Sequence, residues 1–156
     1  MKIILLCVGK TDGGYLNEGI SLYTVRLKHY VPFEIQTIPE LKNTKALPQQ
    51  QQKESEGQQI LAAVGNNELL LLDEHGTAFS STEFAVFLQK KLLSSTKNIF
   101  FAVGGPYGFS EAVYVRAQGK IALSAMTFPH QMVRLFFAEQ LYRAFTIIRG
   151  EPYHHQ

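Results

Sequence analysis

The amino-acid sequence predicts an α/β fold in which a parallel sheet is covered by helices on both faces. Segments with the pattern of strands alternate along the whole chain with segments that repeat apolar residues at helical spacing. Lys2–Val8 and Glu68–Leu72 are apolar almost throughout, which is typical of strands buried on both faces. The chain has 156 residues without a linker or an internal repeat, so we expect residues 1–156 to form a single domain.

The first half of the chain predicts strand, helix, strand, helix and strand over residues 2–8, 16–30, 33–38, 48–64 and 68–72. The first helix repeats apolar residues at helical spacing, and Pro32 ends it. The second strand alternates apolar and polar residues. Pro48 suits the first position of the second helix, and Gly65 closes that helix. The four residues after the third strand, Asp73–Gly76, have the composition of a tight turn.

The second half predicts helix, strand, helix, strand and helix over residues 80–93, 98–103, 110–118, 120–125 and 130–148. Ser80 and Glu83 have the spacing of a capping box at the start of the third helix. Ser110 suits the N-cap of the short fourth helix. The long last helix begins at about His130 and ends before Gly150.

The composition excludes several classes of protein. Hydrophobic residues make up 46% of the chain and charged residues 18%, which excludes a disordered or fibrous protein. The apolar run Ile3–Val8 is too short for a signal-peptide core or a membrane span. Cys7 is the single cysteine, so neither an internal disulfide nor a Cys-x-x-Cys zinc site can form. We therefore expect a soluble, cytoplasmic protein with no metal and no membrane partner.

The net charge of +2 and the isoelectric point near 8.6 are too mild to indicate a nucleic-acid-binding protein. Residues 100–156 are locally more basic, with five Lys and Arg side chains against three carboxylates. Four of those five side chains are arginines, which suit bidentate contact with phosphate. Ordinary solvated surface charges are the alternative interpretation.

The loop after the first strand lacks a nucleotide-binding motif. Gly9–Gly14 matches neither the Gly-x-Gly-x-x-Gly pattern nor a Walker motif, which argues against an ordinary Rossmann methyltransferase. Asp12 has no paired acidic residue beside it and no lysine follows the last strand, which argues against a receiver-type or flavodoxin-like module. Asp73 and Glu74 could perform acid–base chemistry or bind magnesium, but neighbours in a loop rarely converge on one atom.

Two later loops are better candidates for a binding site, because ligands of α/β proteins bind beyond the carboxyl ends of the strands. Gly104–Gly108 contains three glycines and a proline, more than a turn requires, and glycine lets a ligand approach the backbone closely. Residues 123–130 contain few charges and could surround a flat aromatic ring such as adenine. Core packing is the alternative for this second segment.

The last helix is apolar on nearly its whole circumference, which indicates either deep burial or a symmetric dimer interface. We favour the dimer. Glu139 and Arg143 are spaced to form an i, i+4 ion pair, while Arg134 is a further polar exception on this helix. The tail after the helix, Pro152–His155, is either a disordered end or a source of a proton acceptor, since histidine titrates near neutral pH.

Several blocks of residues together resemble one known family. They are Gly-Gly-Pro-x-Gly from Gly104, Leu-Ser-Ala-x-Thr-x-Pro-His-x-x-Val-Arg from Leu123, Glu-x-Leu-Tyr-Arg-Ala from Glu139, and Pro-Tyr-His from Pro152. With the opening Lys2 to Lys10 and Leu-Leu-Asp73, this order resembles the small single-domain SPOUT methyltransferases. The specific similarity is to the RlmH family of large-subunit (23S) ribosomal RNA pseudouridine N3-methyltransferases, and it covers essentially the whole chain.

This resemblance implies an α/β fold with a C-terminal trefoil knot, a homodimer, and S-adenosylmethionine bound in a bent shape in the knot. It implies as substrate a pseudouridine in helix 69 of 23S rRNA, methylated in the assembled ribosome; a SPOUT methyltransferase acting on a different RNA nucleotide is the alternative. The implied cofactor contacts lie after the later strands, at Leu72, Gly104, Leu123, Ser124, Ala125, Met126, Thr127 and Phe128.

Within that family chemistry, the N3 proton of the base must leave before methyl transfer. Our hypothesis is that His154 or His130 accepts this proton, directly or through water, while Arg143 and Tyr153 orient the base. The chain departs from the family pattern at two positions. Tyr107 replaces a glutamate, whose role is absent here or belongs to Glu111, and His155 replaces an arginine that could contact phosphate.

Overall fold

The computed structural model of the protein describes residues 1–155 and shows a five-stranded sheet with the strand order β2-β1-β4-β3-β5. Every neighbouring pair of strands in this order is parallel. The strands are β1 (Lys2–Val8), β2 (Phe33–Ile38), β3 (Glu68–Ala78), β4 (Asn98–Val103) and β5 (Gly119–Ala122). This confirms the predicted parallel α/β sheet.

Five α-helices connect the strands: α1 (Gly14–Leu27), α2 (Gln49–Val64), α3 (Ser81–Leu93), α4 (Glu111–Arg116) and α5 (His130–Ile148). A 3₁₀ turn at Thr44–Ala46 lies within the loop before α2. The capping box at Ser80 and Glu83 forms as predicted, because each side chain bonds the backbone N–H of the other residue. Ser110 likewise caps α4 by accepting from the N–H of Val113.

Helices cover both faces of the sheet, as the apolar strands predicted. Successive residues of β1 enter two separate cores, because side chains alternate across a strand. Ile3 and Leu5 belong to the core under α1, α3 and α5, whereas Ile4 and Leu6 belong to the core under α2 and α4. A central strand can therefore be apolar throughout without exposing an apolar face.

The structure corrects the predicted limits of several elements. Residues 73–76, expected as a tight turn, continue β3 as far as Ala78, with a shift in the register of pairing between Leu72 and Thr77. β5 ends at Ala122 rather than Ala125 because the chain leaves the sheet there. α1 ends at Leu27, three residues before its predicted end, because the residues that follow form hydrogen-bonded turns.

α4 also ends earlier than predicted, at Arg116 rather than Gln118. The backbone N–H of Gln118 donates to the carbonyl of Leu69 in β3, at 2.9 Å, so the chain has already joined the sheet.

The apolar circumference of α5 is explained in part by deep burial. The helix packs on the sheet and contacts α1 and α3 on either side, which buries Phe137, Leu141 and Phe145. Leu135 and Phe136 remain partly exposed on the surface of the single chain. The predicted dimer interface stays a prediction.

None of the helices in residues 1–155 combines the length and apolar character that a membrane span requires. Within the same residues, no three His, Cys, Asp or Glu side chains are grouped so that they could hold a metal ion.

Gly76 lies in close backbone contact with β5. A Cβ atom at this position would lie 2.5 Å from the backbone nitrogen of Ile121 and 2.6 Å from the carbonyl carbon of Lys120. These neighbours are backbone atoms of the paired strand rather than a flexible side chain that could move aside, so only glycine allows this approach.

We expect Gly76→Ala to lower the free energy of unfolding by about 3 kcal/mol, because one methyl group must separate two paired strands. Gly14→Ala is the matched control, since a Cβ atom there meets nothing within 4 Å at the start of α1. Its effect should be neutral or slightly stabilising. Urea unfolding of the two variants measures the difference, and equal midpoints would show that β3 and β5 tolerate separation.

Candidate active site

A cavity of about 420 Å³ opens at the carboxyl ends of β3, β4 and β5. The ends of these strands, the loop Gly104–Gly108 and the segment after β5 form its walls. The apolar side chains Leu72, Val103 and Leu123 line the cavity beside exposed backbone of the glycine loop. Its volume and its mixed apolar and polar lining are those of a small-molecule site.

The structure brings most of the predicted cofactor residues to this one cavity. Its lining includes Leu72, Gly104, Leu123, Ser124, Met126, Thr127 and Phe128. Ala125 belongs to the same segment but does not line the cavity in the described chain. Contact of these residues with a cofactor stays a prediction, and the cavity is the place where that contact would occur.

The loop Gly104–Gly108 lies close to α2, and Gly105 is the residue at the contact. A Cβ atom on Gly105 would lie 2.5 Å from Oε2 of Glu56, a carboxylate that is only 5% exposed. The loop closes on itself where the N–H of Gly108 donates to the carbonyl of Gly105 at 3.1 Å, with a φ of 79° at Gly108. Gly105 therefore lets the loop approach α2 without displacing the buried Glu56 carboxylate, and Gly108 supplies the left-handed backbone of the turn.

Two carboxylates also reach the cavity. Asp73, whose side chain is 9% exposed, accepts hydrogen bonds from the Tyr114 hydroxyl and, at 2.8 Å, from the N–H of His75. Glu74 accepts from the hydroxyl of Thr127 on the opposite wall. The sequence pattern gave little weight to these two acids, and it carried no signal for Tyr114. The β3 extension is the reason that both acids reach one cavity.

The hydrogen bonds keep Asp73 ionised. Burial favours its neutral form, yet the bonds from Tyr114 and His75 and the nearby imidazole together hold the pKa of the carboxyl below its ordinary value. Burial and the contact with Asp73 in turn raise the pKa of Tyr114 to about 12, so its hydroxyl remains a donor at neutral pH.

His130 is the first residue of α5 and directly follows the segment that lines the cavity. The start of this helix is fixed by Arg134, which is 1% exposed. Its guanidinium donates to the carbonyls of Val8 at 2.8 Å and Gly9 at 2.9 Å, and to the hydroxyl of Thr11 at 3.1 Å. α5 is thereby held to the end of β1.

In the sequence, Arg134 stood out only as a polar exception on an apolar helix. Its spacing from Phe137, Ala138 and Leu141 places it on the buried stripe, which is the signal that could have identified a buried arginine. Its partners are carbonyl groups at the end of a strand, and these are not visible in the sequence.

The other three predicted catalytic residues form a cluster on the second half of α5. Arg143 pairs with Glu139, as the i, i+4 spacing predicted. An Arg143 guanidinium nitrogen lies 3.2 Å from Nδ1 of His154, and its Cζ lies 4.8 Å from the centre of the Tyr153 ring. Tyr153 donates to Glu139 at 3.1 Å, and its hydroxyl lies 3.5 Å from that of Tyr23. We call Glu139, Arg143, Tyr153 and His154 the tail cluster.

The tail after α5 is thus anchored rather than separate from the fold. Burial, with the neighbouring Tyr23 and Glu139, raises the pKa of Tyr153, so this phenol stays protonated. The hydrogen bond to Glu139 raises the pKa of Arg143, which keeps its charge at any accessible pH.

Within one chain, the cavity lies at the first turn of α5, whereas the tail cluster lies along the second half of the helix. Thirteen residues separate His130 from Arg143, which corresponds to about 20 Å along a helix axis. His130 and Arg143 therefore do not meet within one chain, and the catalytic roles predicted for these residues stay predictions.

Comparison with known proteins identifies the family. A family model described as a predicted SPOUT methyltransferase matches residues 1–154. The chain belongs to the SPOUT methyltransferase family. A relative from Cytophaga hutchinsonii, named ribosomal RNA large subunit methyltransferase H, is 57% identical over 99% of this chain and 100% of its own length. One of the same name from Christiangramia forsetii is 55% identical over the full length of both chains. These relatives confirm the predicted RlmH resemblance.

Among solved structures, that of a probable methylase family protein from Haemophilus influenzae is similar in fold. Its TM-score is 0.53 at 14% sequence identity, and the similarity covers 95% of this chain and 66% of that one. Membership of the SPOUT family implies that the C-terminal segment around β5 and the cavity is knotted as a trefoil.

Tyr114 offers a test of the electrostatics at this SPOUT cavity. We expect Tyr114→Phe to lower the free energy of unfolding by about 1 kcal/mol at neutral pH, since it removes a hydrogen bond to an ionised carboxylate. The folded-state pKa of Asp73 lies below its unfolded value, so this stabilisation is present above the unfolded pKa and is lost as the pH falls through the folded one. Urea unfolding of the variant and the wild type at several pH values measures the difference.

Tyr107→Phe is the control, because it removes an exposed phenol hydroxyl on the same cavity. It should have a small effect at every pH. A pH-independent loss in Tyr114→Phe would show that the hydroxyl contributes by packing alone.

Proposed function

We propose that this protein is an S-adenosylmethionine-dependent methyltransferase that acts in the cytoplasm on N3 of a pseudouridine in helix 69 of 23S rRNA, in the assembled ribosome. The observation that carries the proposal is the match, over the whole chain, to relatives named ribosomal RNA large subunit methyltransferase H. The cavity supports it, since seven of the eight residues expected to contact the cofactor line one site.

The residues of the cavity fit S-adenosylmethionine. Leu72, Val103 and Leu123 provide apolar surface for an adenine ring, and the glycine loop exposes backbone groups for hydrogen bonding. Asp73 and Glu74 suit the positive charges of the sulfonium and ammonium groups. The bound cofactor would supply an electrophilic methyl group.

The protein's own task is to orient the base and to take up a proton. A uracil-type N3 is nucleophilic only after its proton leaves, and nearby positive charge stabilises the resulting anion. We assign the orienting role to Arg143 and Tyr153, whose positions are fixed by Glu139. Arg143 supplies that positive charge at any pH at which ribosomes are stable.

His154 can accept the proton only after one contact changes. Where its Nδ1 accepts from Arg143, the proton of the neutral ring is on Nε2, and neither nitrogen has a free lone pair. A substrate that draws Arg143 toward itself would release Nδ1 as a proton acceptor. His130, at the cavity end of α5, is the alternative acceptor.

We propose a homodimer in which the tail cluster of one protomer completes the cavity of its partner. The spacing of His130 from Arg143, about 20 Å along α5, supports this arrangement, because one chain alone does not bring these two residues together. The surface supports it as well. Tyr15, Leu22 and Val25 are exposed on α1, and Leu135 and Phe136 are partly exposed on α5.

The function is tested by methyl transfer from labelled S-adenosylmethionine to ribosomes with and without the helix 69 pseudouridines. We expect label only in the pseudouridylated particle, at N3 of one nucleotide, as mapped by mass spectrometry. Label at another nucleotide would favour a SPOUT methyltransferase with a different RNA target. Cofactor binding without methyl transfer to either particle would contradict the proposed substrate.

Removal of residues 152–156 should abolish methyl transfer, because Tyr153 and His154 leave the tail cluster. Binding of S-adenosylmethionine should remain, since no described tail residue lines the cavity. Calorimetric titration with the cofactor and the ribosome assay measure the two effects separately. If the truncated protein lost both methyl transfer and cofactor binding while circular dichroism showed an intact fold, the tail and the cavity would not have separate roles.

The proton acceptor is tested within the same series by His154→Ala and His130→Ala. The variant that lacks the acceptor should lose at least about a hundredfold in turnover with saturating ribosomes. Full turnover in both variants would show that neither histidine takes the proton.

A further inference from the structure

Arginine and tyrosine side chains cover the surface where the end of α1 meets the end of α5. We call this surface the tyrosine–arginine patch and define it by its residues: Tyr23, Arg26, Lys28, Tyr30, Tyr142 and Arg149. The patch continues into the tail cluster, because the rings of Tyr142 and Tyr153 pack edge to face with centres 4.7 Å apart.

The arginines of the patch lie against aromatic rings. Cζ of Arg26 is 5.8 Å from the ring centre of Tyr23 and 5.5 Å from that of Tyr142. Cζ of Arg149 is 4.5 Å from the ring centre of Tyr30. A guanidinium that stacks on a ring is held in place while its N–H edge remains able to donate to an incoming acceptor.

The positive charges of the patch are not paired directly with carboxylates in the described residues. Within residues 1–155, Arg26, Lys28 and Arg149 form no ion pair with a carboxylate. The nearby acid, Glu151, accepts instead from the hydroxyl of Tyr30. Lys28 and Arg149 are exposed, and a guanidinium nitrogen of Arg149 donates to the carbonyl of His29 at 3.1 Å.

We infer that the tyrosine–arginine patch binds the phosphate backbone of the substrate RNA beside the nucleotide that is methylated. This inference rests on the proposed function, since it names the surface that holds that substrate. Arginines stacked on tyrosines combine charge for phosphates with rings for bases, the combination that proteins use for single-stranded RNA. Continuity with the tail cluster places the bound strand next to Arg143 and Tyr153.

The charge of the patch favours RNA over a second copy of the chain as its occupant. A symmetric contact between two copies would bring Arg26, Lys28 and Arg149 of both chains to one interface, where Glu151 is the described carboxylate beside them, so positive charge would remain in excess. RNA supplies one negative charge per nucleotide, and its binding releases counterions.

The test uses the full-length double variant Arg26→Gln/Arg149→Gln. Its control is Lys45→Gln/Lys90→Gln, which removes two charges from exposed lysines outside the patch. Affinity for pseudouridylated ribosomes is measured by cosedimentation at several salt concentrations, a readout that does not require methyl transfer. Oligomeric mass is measured by light scattering, cofactor affinity by calorimetry, and turnover by label transfer.

We expect the patch variant to bind ribosomes about tenfold more weakly, with a salt dependence reduced by about two phosphate contacts. Its cofactor affinity, its mass and its turnover at saturating ribosomes should match those of the wild type. The control variant should bind ribosomes like the wild type.

Unchanged ribosome affinity and salt dependence in the patch variant would overturn the inference. An altered mass would overturn it too, because the patch would then belong to a contact between copies. Equal weakening in the control would show a general charge effect rather than a site. Ribosome binding without methyl transfer in the wild type would contradict the proposed function but not the patch.

Discussion

The close pairing of β3 with β5 is the constraint on which the site depends. Gly76 brings the backbones of the two strands into direct contact, and the register shifts between Leu72 and Thr77. The shift lets β3 continue past its apolar segment, so Asp73 and Glu74 extend along the mouth of the cavity rather than turning away. β5 ends after four residues, and the chain beyond it forms the opposite wall.

α5 relates this cavity to the rest of the molecule. Its first turn is held to the end of β1 by Arg134, whose partners are backbone carbonyls rather than carboxylates. Its second half carries the tail cluster, in which Glu139 bonds to Arg143 and Tyr153. The helix therefore sets the distance from His130 to Arg143, and the proposed homodimer is the arrangement that would bring the two groups together.

The charges of the chain are divided between two surfaces with different tasks. The cavity is lined by Asp73 and Glu74, a suitable environment for a cationic cofactor. The tyrosine–arginine patch carries three cationic side chains that form no ion pair among the described residues, which is the basis of its proposed role in RNA binding. The net charge of +2 hides this division, because a sum over the chain carries no information about position.

The sequence by itself determined the order of elements, the coverage of the sheet on both faces and most of the cavity lining. These follow from local patterns: an apolar strand such as β1, a capping box at Ser80 and glycines from Gly104 are readable without their partners. Only the tertiary structure decided that Asp73 belongs to an extended strand, that Arg134 is buried, and that His130 and His154 lie far apart. Each of these depends on contacts between residues distant in the chain, and such contacts leave no periodic signal in the sequence.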